Sequence, residues 1–140
     1  MVTGGCLCGA VGYEIDGRIS GIWYCHCSKC RKVTGSAFHP GALCRRAAFR
    51  WTRGEEEVAE YRSSSGYTTR FCRRCGSPAP SFLPGGESVV LPAGALDQDP
   101  GSRPVRHIFA GSKAPWFEIR DGLPCFDEHA PGTRQPPKPA

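Results

Sequence analysis

The sequence predicts an all-β fold with one or two short helical turns. Three observations point there. Gly 18 and Pro 13 among 140 residues disfavour a helical bundle and favour short strands joined by tight turns. Apolar and polar residues alternate over stretches of four to six residues, the period of half-buried strands. Close-spaced cysteines follow several of these stretches, where they can staple one strand end to another.

Along the chain, Cys6-Leu7-Cys8-Gly9 opens the domain. Val11, Tyr13 and Ile15 alternate with Gly12 and Glu14 and predict a strand. Asp16-Gly17 is a hairpin signal, so Ile19 to Tyr24 is expected to return alongside and run into Cys25-His26-Cys27-Ser28-Lys29-Cys30. That hairpin would bring both cysteine groups to one end of a sheet. Arg31 to Gly35 predicts a helical turn ended by glycine. Ser36 to Leu43 reads as a strand broken at Pro40-Gly41, and Arg45 to Ala48 as another helical turn. Phe49 and Trp51 resume strand character. Glu55-Glu56-Glu57 reads as a solvated loop or strand edge.

Val58 to Arg62 and Tyr67 to Phe71 predict two strands around Ser63-Ser64-Ser65-Gly66, the second delivering Cys72-Arg73-Arg74-Cys75-Gly76. Pro78 to Leu83 and Ser88 to Leu91 are two more, split by Gly85-Gly86. A polar loop from Asp97 to Pro104 precedes a strand at Val105 to Phe109, and Asp121-Gly122-Leu123-Pro124 is a turn. One domain is expected over 1–128, followed by a Pro-rich, disordered tail over 129–140.

The formal charge of +5 is modest, and no basic run interleaves with aromatics, so a nucleic-acid stripe is not expected. No apolar run approaches the ~20 residues of a membrane span. The N-terminal residues carry no signal-peptide pattern, so a cytoplasmic chain is expected. In that reducing compartment, close-spaced cysteines read as metal ligands. Nine cysteines are in any case an odd number, which precludes a complete set of intrachain disulfides.

Cys6 with Cys8 and Cys72 with Cys75 form pairs, Cys25, Cys27 and Cys30 form a triplet, and Cys44 and Cys125 stand alone. Two pairs make one closed four-thiolate zinc site. The triplet makes a second site with three ligands. The partition is economical rather than forced, since Cys8 could join the triplet. Three thiolates leave a fourth position: filled by the protein, the site is structural; open to a visitor, it supports chemistry.

Gly5-Cys6-Leu7-Cys8-Gly9, Cys25-His26-Cys27-Ser28-Lys29-Cys30-Arg31, Arg70-Phe71-Cys72-Arg73-Arg74-Cys75-Gly76-Ser77 and Asp121-Gly122-Leu123-Pro124 together resemble the glutathione-dependent formaldehyde-activating enzyme family, which includes centromere protein V. The resemblance spans residues from about 4 to 126. It implies a β-tent fold in which two small antiparallel sheets meet at a zinc. It assigns Cys6, Cys8, Cys72 and Cys75 to a structural zinc and Cys25, Cys27 and Cys30 to a catalytic zinc. The implied activity is that of S-(hydroxymethyl)glutathione synthase, a carbon–sulfur lyase joining glutathione to formaldehyde.

The residues supply candidate parts for that chemistry. A thiol attacks as its thiolate, and zinc lowers a bound thiol's pKa. His26 and His107 are candidate proton donors to the new hydroxyl, and Arg31 or Arg70 could hold a glutathione carboxylate. Each has a plainer reading: a solvent-facing or core histidine, a surface ion-pair partner. Trp116 reads as core or rim packing, Cys44 and Cys125 as small buried apolar residues. The alternative function is a non-catalytic, zinc-stapled binding module, in which Cys44, Cys125 or a histidine closes the triplet site. Nothing in the sequence sets the oligomeric state.

Overall fold

The structure is a computed structural model that describes residues 1–132. It contains strands β1 (Val2–Gly5), β2 (Gly12–Ile15), β3 (Ile22–Cys25), β4 (His39–Arg45), β5 (Phe49–Arg53), β6 (Val58–Arg62), β7 (Thr68–Cys72), β8 (Ser81–Phe82), β9 (Ser88–Pro92) and β10 (Pro104–Ile108), with one short helix, α1 (Ser28–Thr34). The strands make three small sheets, of order β1-β2-β5, β10-β3-β4-β9-β8 and β6-β7. The all-β expectation holds. The resemblance implied two sheets; the third is the β6–β7 hairpin.

The expected pairing of the second and third strands does not occur. Both edges of β2 are taken, by β1 on one side and β5 on the other. The chain leaves β2 through Asp16-Gly17 and enters the five-stranded sheet instead. There β3 lies between β4, antiparallel, and β10, parallel. The parallel pair is an exception to the expected antiparallel sheets. β1 carries two glycines, Gly4 and Gly5, which explains why it has no strand signature in the sequence.

β4 runs unbroken through Pro40-Gly41. Gly41 lies opposite Trp23, and a Cβ there would overlap the indole. The glycine therefore makes room for Trp23 rather than interrupting the strand.

The main core lies between the three-stranded and five-stranded sheets. Tyr13, Ile15, Phe49, Ala42, Val89 and Leu91 are buried in it, joined by Ile19 and Cys44. Each of the large apolar side chains contributes about 1.5–3 kcal/mol by burial. Around the C-terminal side, His129 packs against Phe109 and Ala130 is buried. The rest of the expected tail, 133–140, lies outside the described residues.

These pairings place strand ends where chemistry can be built. β3 ends at Cys25 and β7 ends at Cys72. The helix between β3 and β4 carries Cys30 on its first turn, and Gly35 ends it with a left-handed backbone at φ 61°.

Candidate functional site

The Sγ atoms of Cys6, Cys8, Cys72 and Cys75 all lie within 4.8 Å of one another. Cys6 and Cys8 come from the loop between β1 and β2, Cys72 from the end of β7, and Cys75 from the turn behind it. That turn is closed by Gly76 N–H donating to the Cys72 carbonyl at 2.8 Å, with Gly76 at φ 77°. Cys6 Sγ accepts from the Val11 N–H at 3.2 Å. Ser77 joins the two halves: its Oγ accepts from the Leu7 N–H at 2.9 Å and lies 3.3 Å from Cys75 Sγ. The Ser77 hydroxyl and N–H pull the Cys75 thiol down to about 5.

A second group joins Cys25, Cys27 and Cys30, again with every Sγ within 4.8 Å of the others. No other Cys, His, Asp or Glu belongs to it among the described residues. Cys27 caps α1, its Sγ accepting from the Cys30 N–H at 3.2 Å. Cys25 and Cys30 are buried and Cys27 is half-buried. Hydrogen bonds from Cys25 and Cys30 hold Cys27 down to about 2, while Cys27 and Cys30 push Cys25 far up. Cys30 is drawn down by Cys25 but ends pushed up to about 11 by Cys27 and burial. Three sulfurs this close cannot all ionise unaided, so the set fits a soft divalent cation that compensates their charge.

Two residues with no motif in the sequence flank this trio. The Tyr67 hydroxyl, just before β7, lies 3.6 Å from Cys30 Sγ. Burial, then the neighbouring Cys30, pushes its pKa up, so it stays a phenol. His39 lies opposite Cys25 across the β3–β4 pair. Burial lowers its pKa, against an opposing pull from Cys27.

His26 and His107, expected as candidate donors, are brought together, but with each other. His26 Nε2 and His107 Nδ1 are 2.7 Å apart, and His107 Nε2 is 2.8 Å from Asp121 Oδ2. Both histidines are fully buried beside Tyr24, Phe38 and Phe117. Burial, then His107, lowers the His26 pKa, and the Ala37 backbone opposes this without reaching hydrogen-bond geometry at Nδ1. The Asp121 loop is anchored on β10 by His107 N–H to the Pro124 carbonyl and Phe126 N–H to the His107 carbonyl.

The model of the glutathione-dependent formaldehyde-activating enzymes matches residues 1–112. The chain belongs to the glutathione-dependent formaldehyde-activating enzyme family. Both cysteine groups fall inside the matched residues, whereas Asp121 and Cys125 lie beyond them. A crystal structure of a Rhodobacter sphaeroides protein, a structural genomics target, has the same fold. It aligns with a TM-score of 0.54 at 21% identity, over 89% of this chain and 98% of the other.

The remaining expectations for this member of the glutathione-dependent formaldehyde-activating enzyme family divide. Arg70 is engaged, paired with Glu60 at 3.2 Å and set over the Phe82 ring. Arg31, one residue beyond Cys30, has a buried Nε without a hydrogen-bond partner among the described residues. Cys44 is buried in the core as expected. Cys125 is exposed, contrary to expectation, because it lies on a chain segment laid along the outer side of β10 by a bridge to His107. Among the described residues, neither lone cysteine joins a metal-competent group. Trp116 is 72% exposed, so it belongs to the rim and not the core. Among the described residues, no helix is long and apolar enough to cross a membrane.

Proposed function

We propose that this chain is a zinc-dependent carbon–sulfur lyase resembling S-(hydroxymethyl)glutathione synthase, working on a cytoplasmic thiol and formaldehyde or a related aldehyde. One observation carries the reading. The trio of Cys25, Cys27 and Cys30 is three-membered among the described residues, so a zinc held there would keep a coordination position for a substrate. In this reading Cys6, Cys8, Cys72 and Cys75 hold a structural zinc and the trio a catalytic one.

Bound to the trio, zinc would supply a soft Lewis-acid position that favours a substrate sulfur as thiolate. Three thiolates already exceed the charge of a divalent ion, so the site suits thiol activation better than generation of hydroxide. The rest is done by the chain. The Cys30 N–H fixes Cys27 Sγ at the helix start, and burial of Cys25 and Cys30 keeps bulk water off two of the sulfurs. Addition forms one S–C bond, opens the carbonyl π bond and moves the thiol proton to oxygen. Tyr67, a phenol touching Cys30 Sγ, is placed to donate a hydrogen bond to the developing oxygen charge. His26 and His107 serve this reading as a buried pair that ties Asp121 to the residue following β3.

Exchange spectroscopy by NMR tests the proposal, following transfer between formaldehyde and its glutathione adduct with and without the zinc-loaded protein. Faster exchange with wild type, lost in Cys27→Ser, supports it. Exchange at the uncatalysed rate defeats it.

The position of His39 favours a second reading. It lies opposite Cys25 across the strand pair, so a shift of its imidazole toward the trio would close the site and make a structural module. In that case His39→Ala would lose zinc from the trio. With an open site, the variant keeps both ions.

A further inference from the structure

We propose that Asp121 is a positioning residue for the trio: through His107 it orients His26, the joint between the strand that carries Cys25 and the helix that Cys27 caps. The inference rests on the trio holding a metal ion and adds to that reading the residues that set its geometry. It needs no contact between Asp121 and the ion or a substrate.

His26 alone separates the end of β3 at Cys25 from the N-cap of α1 at Cys27. Its backbone torsions therefore decide how the strand sulfur meets the sulfurs of Cys27 and Cys30. Cys27 is itself extended, at φ −62° and ψ 152°. Along an extended chain successive side chains alternate, so the His26 ring lies across the backbone from the Cys25 and Cys27 sulfurs, outside the group they form. Two tethers hold this joint to β10. The His26 N–H donates to the Ile108 carbonyl at 3.0 Å, and the ring Nε2 meets His107 Nδ1 at 2.7 Å. His26 Nδ1 is buried with no hydrogen-bond partner among the described residues, so the ring's orientation depends on that one bond. The neighbouring rings of Phe38 and Phe117 offer nothing polar to replace it, and a bond lost in so apolar a place is costly.

Asp121 sets the direction of that bond. An ionised carboxylate only accepts, so His107 Nε2 carries the hydrogen that spans the 2.8 Å to Asp121 Oδ2. In a neutral His107, Nδ1 is then a bare acceptor and His26 Nε2 must donate to it. Asp121 is fixed in turn, because its Oδ1 accepts from the Leu123 N–H at 3.0 Å. Its side chain is 40% exposed, whereas both histidines are fully buried, so the chain carries one orientation from the surface to the joint. It does so without any change of charge. An asparagine at 121 can turn its NH2 toward His107 Nε2. Both bonds then reverse, and His26 is left with a buried hydrogen on Nδ1.

The test uses the full chain loaded with cadmium at both cysteine groups. Cadmium NMR reads the sulfur geometry of each ion separately, and nitrogen NMR of the imidazoles reads where each hydrogen sits. In wild type, His107 and His26 should both carry hydrogen on Nε2 and none on Nδ1. Asp121→Asn should move hydrogen onto His107 Nδ1 and shift the cadmium signal of the trio. It should also weaken the trio's hold on cadmium against a chelator about 10- to 100-fold, the range for groups that orient metal ligands. The four-cysteine signal should stay in place. A role confined to overall stability would move neither the hydrogens nor one cadmium signal alone. Hydrogen on His107 Nδ1 in wild type overturns the proposal, a result that requires no variant to fold. So do unmoved hydrogens or an unmoved trio signal in folded Asp121→Asn, and equal changes at both groups. A wild-type trio that takes no cadmium overturns the metal reading beneath it. If the cadmium and imidazole signals respond as expected while no thiol exchange is accelerated, the positioning role stands and the lyase reading falls.

Discussion

The hydroxyl of Tyr67 lies 3.6 Å from the Sγ of Cys30. Tyr67 enters β7, and β7 ends at Cys72, so one strand touches the trio at its start and supplies the four-cysteine group at its end. The β6–β7 hairpin thereby links the two groups.

Tyr67→Phe keeps the ring and removes the hydroxyl. Activity in the exchange assay should drop about 10- to 100-fold, the range for lost partners of metal ligands. The melting temperature should change little. A variant with wild-type turnover would remove Tyr67 from the site.

Cys72→Ser and Cys27→Ser should behave differently although both lose one sulfur. Cys72 is fully buried where the β7 hairpin meets the Cys6–Cys8 loop. Structural zinc is worth about 10–16 kcal/mol in small domains, comparable with the whole stability of a domain at about 5–15 kcal/mol. Cys72→Ser should leave no cooperative melt, whereas Cys27→Ser should melt cooperatively but lack turnover. Equal melting curves would contradict the division into staple and active centre.

Gly54 stands at φ 69°, and a Cβ there would collide with the Ala10 carbonyl, behind the Cys6–Cys8 loop. Gly54→Ala should cost more than the about 1–2 kcal/mol of the left-handed backbone alone, because backbone cannot move aside as a side chain can. A fall in melting temperature of about 5 °C or more is expected. No change would show that the loop yields freely.

Asp121 is held below the ordinary carboxylate range, first by its hydrogen bond with His107 and then by the Leu123 N–H. A folded-state pKa below the unfolded value of about 3.9 stabilises the fold above that value. The contribution is lost as pH falls through the folded pKa. Asp121→Asn should therefore be less stable than wild type by a constant amount between pH 5 and pH 7, in roughly that range, with the gap closing below about pH 4. Denaturant titrations across that window check the sign. A gap that widens in acid would refute the assignment.

The cysteine partition was legible because ligand spacing is a local property. Cys72-Arg73-Arg74-Cys75-Gly76 and the triplet declare themselves within six residues, and the structure groups the sulfurs in the same way. The β6–β7 hairpin was legible for the same reason. Sheet pairing was not. Asp16-Gly17 does signal a turn, yet the partners of β2 come from Val2–Gly5 and Phe49–Arg53, one glycine-rich and the other distant. The parallel β3–β10 pair joins segments some 80 residues apart, beyond any local period. Tyr67 and His39 carry no motif, and only the folded hairpin and the β3–β4 register bring them to the trio. His26 and His107 were visible as candidates, but their mutual bond depends on that same long-range parallel pair.

The proposed chemistry requires a free thiol to enter the coordination of the trio. Zinc K-edge absorption on the protein loaded at both groups, recorded before and after adding glutathione, reads this directly. The account requires the mean number of sulfur neighbours per zinc to rise, a light-atom neighbour being lost, and the change to be absent in Cys27→Ser. A spectrum unmoved by glutathione, with a protein nitrogen or sulfur already in the last position, would contradict it.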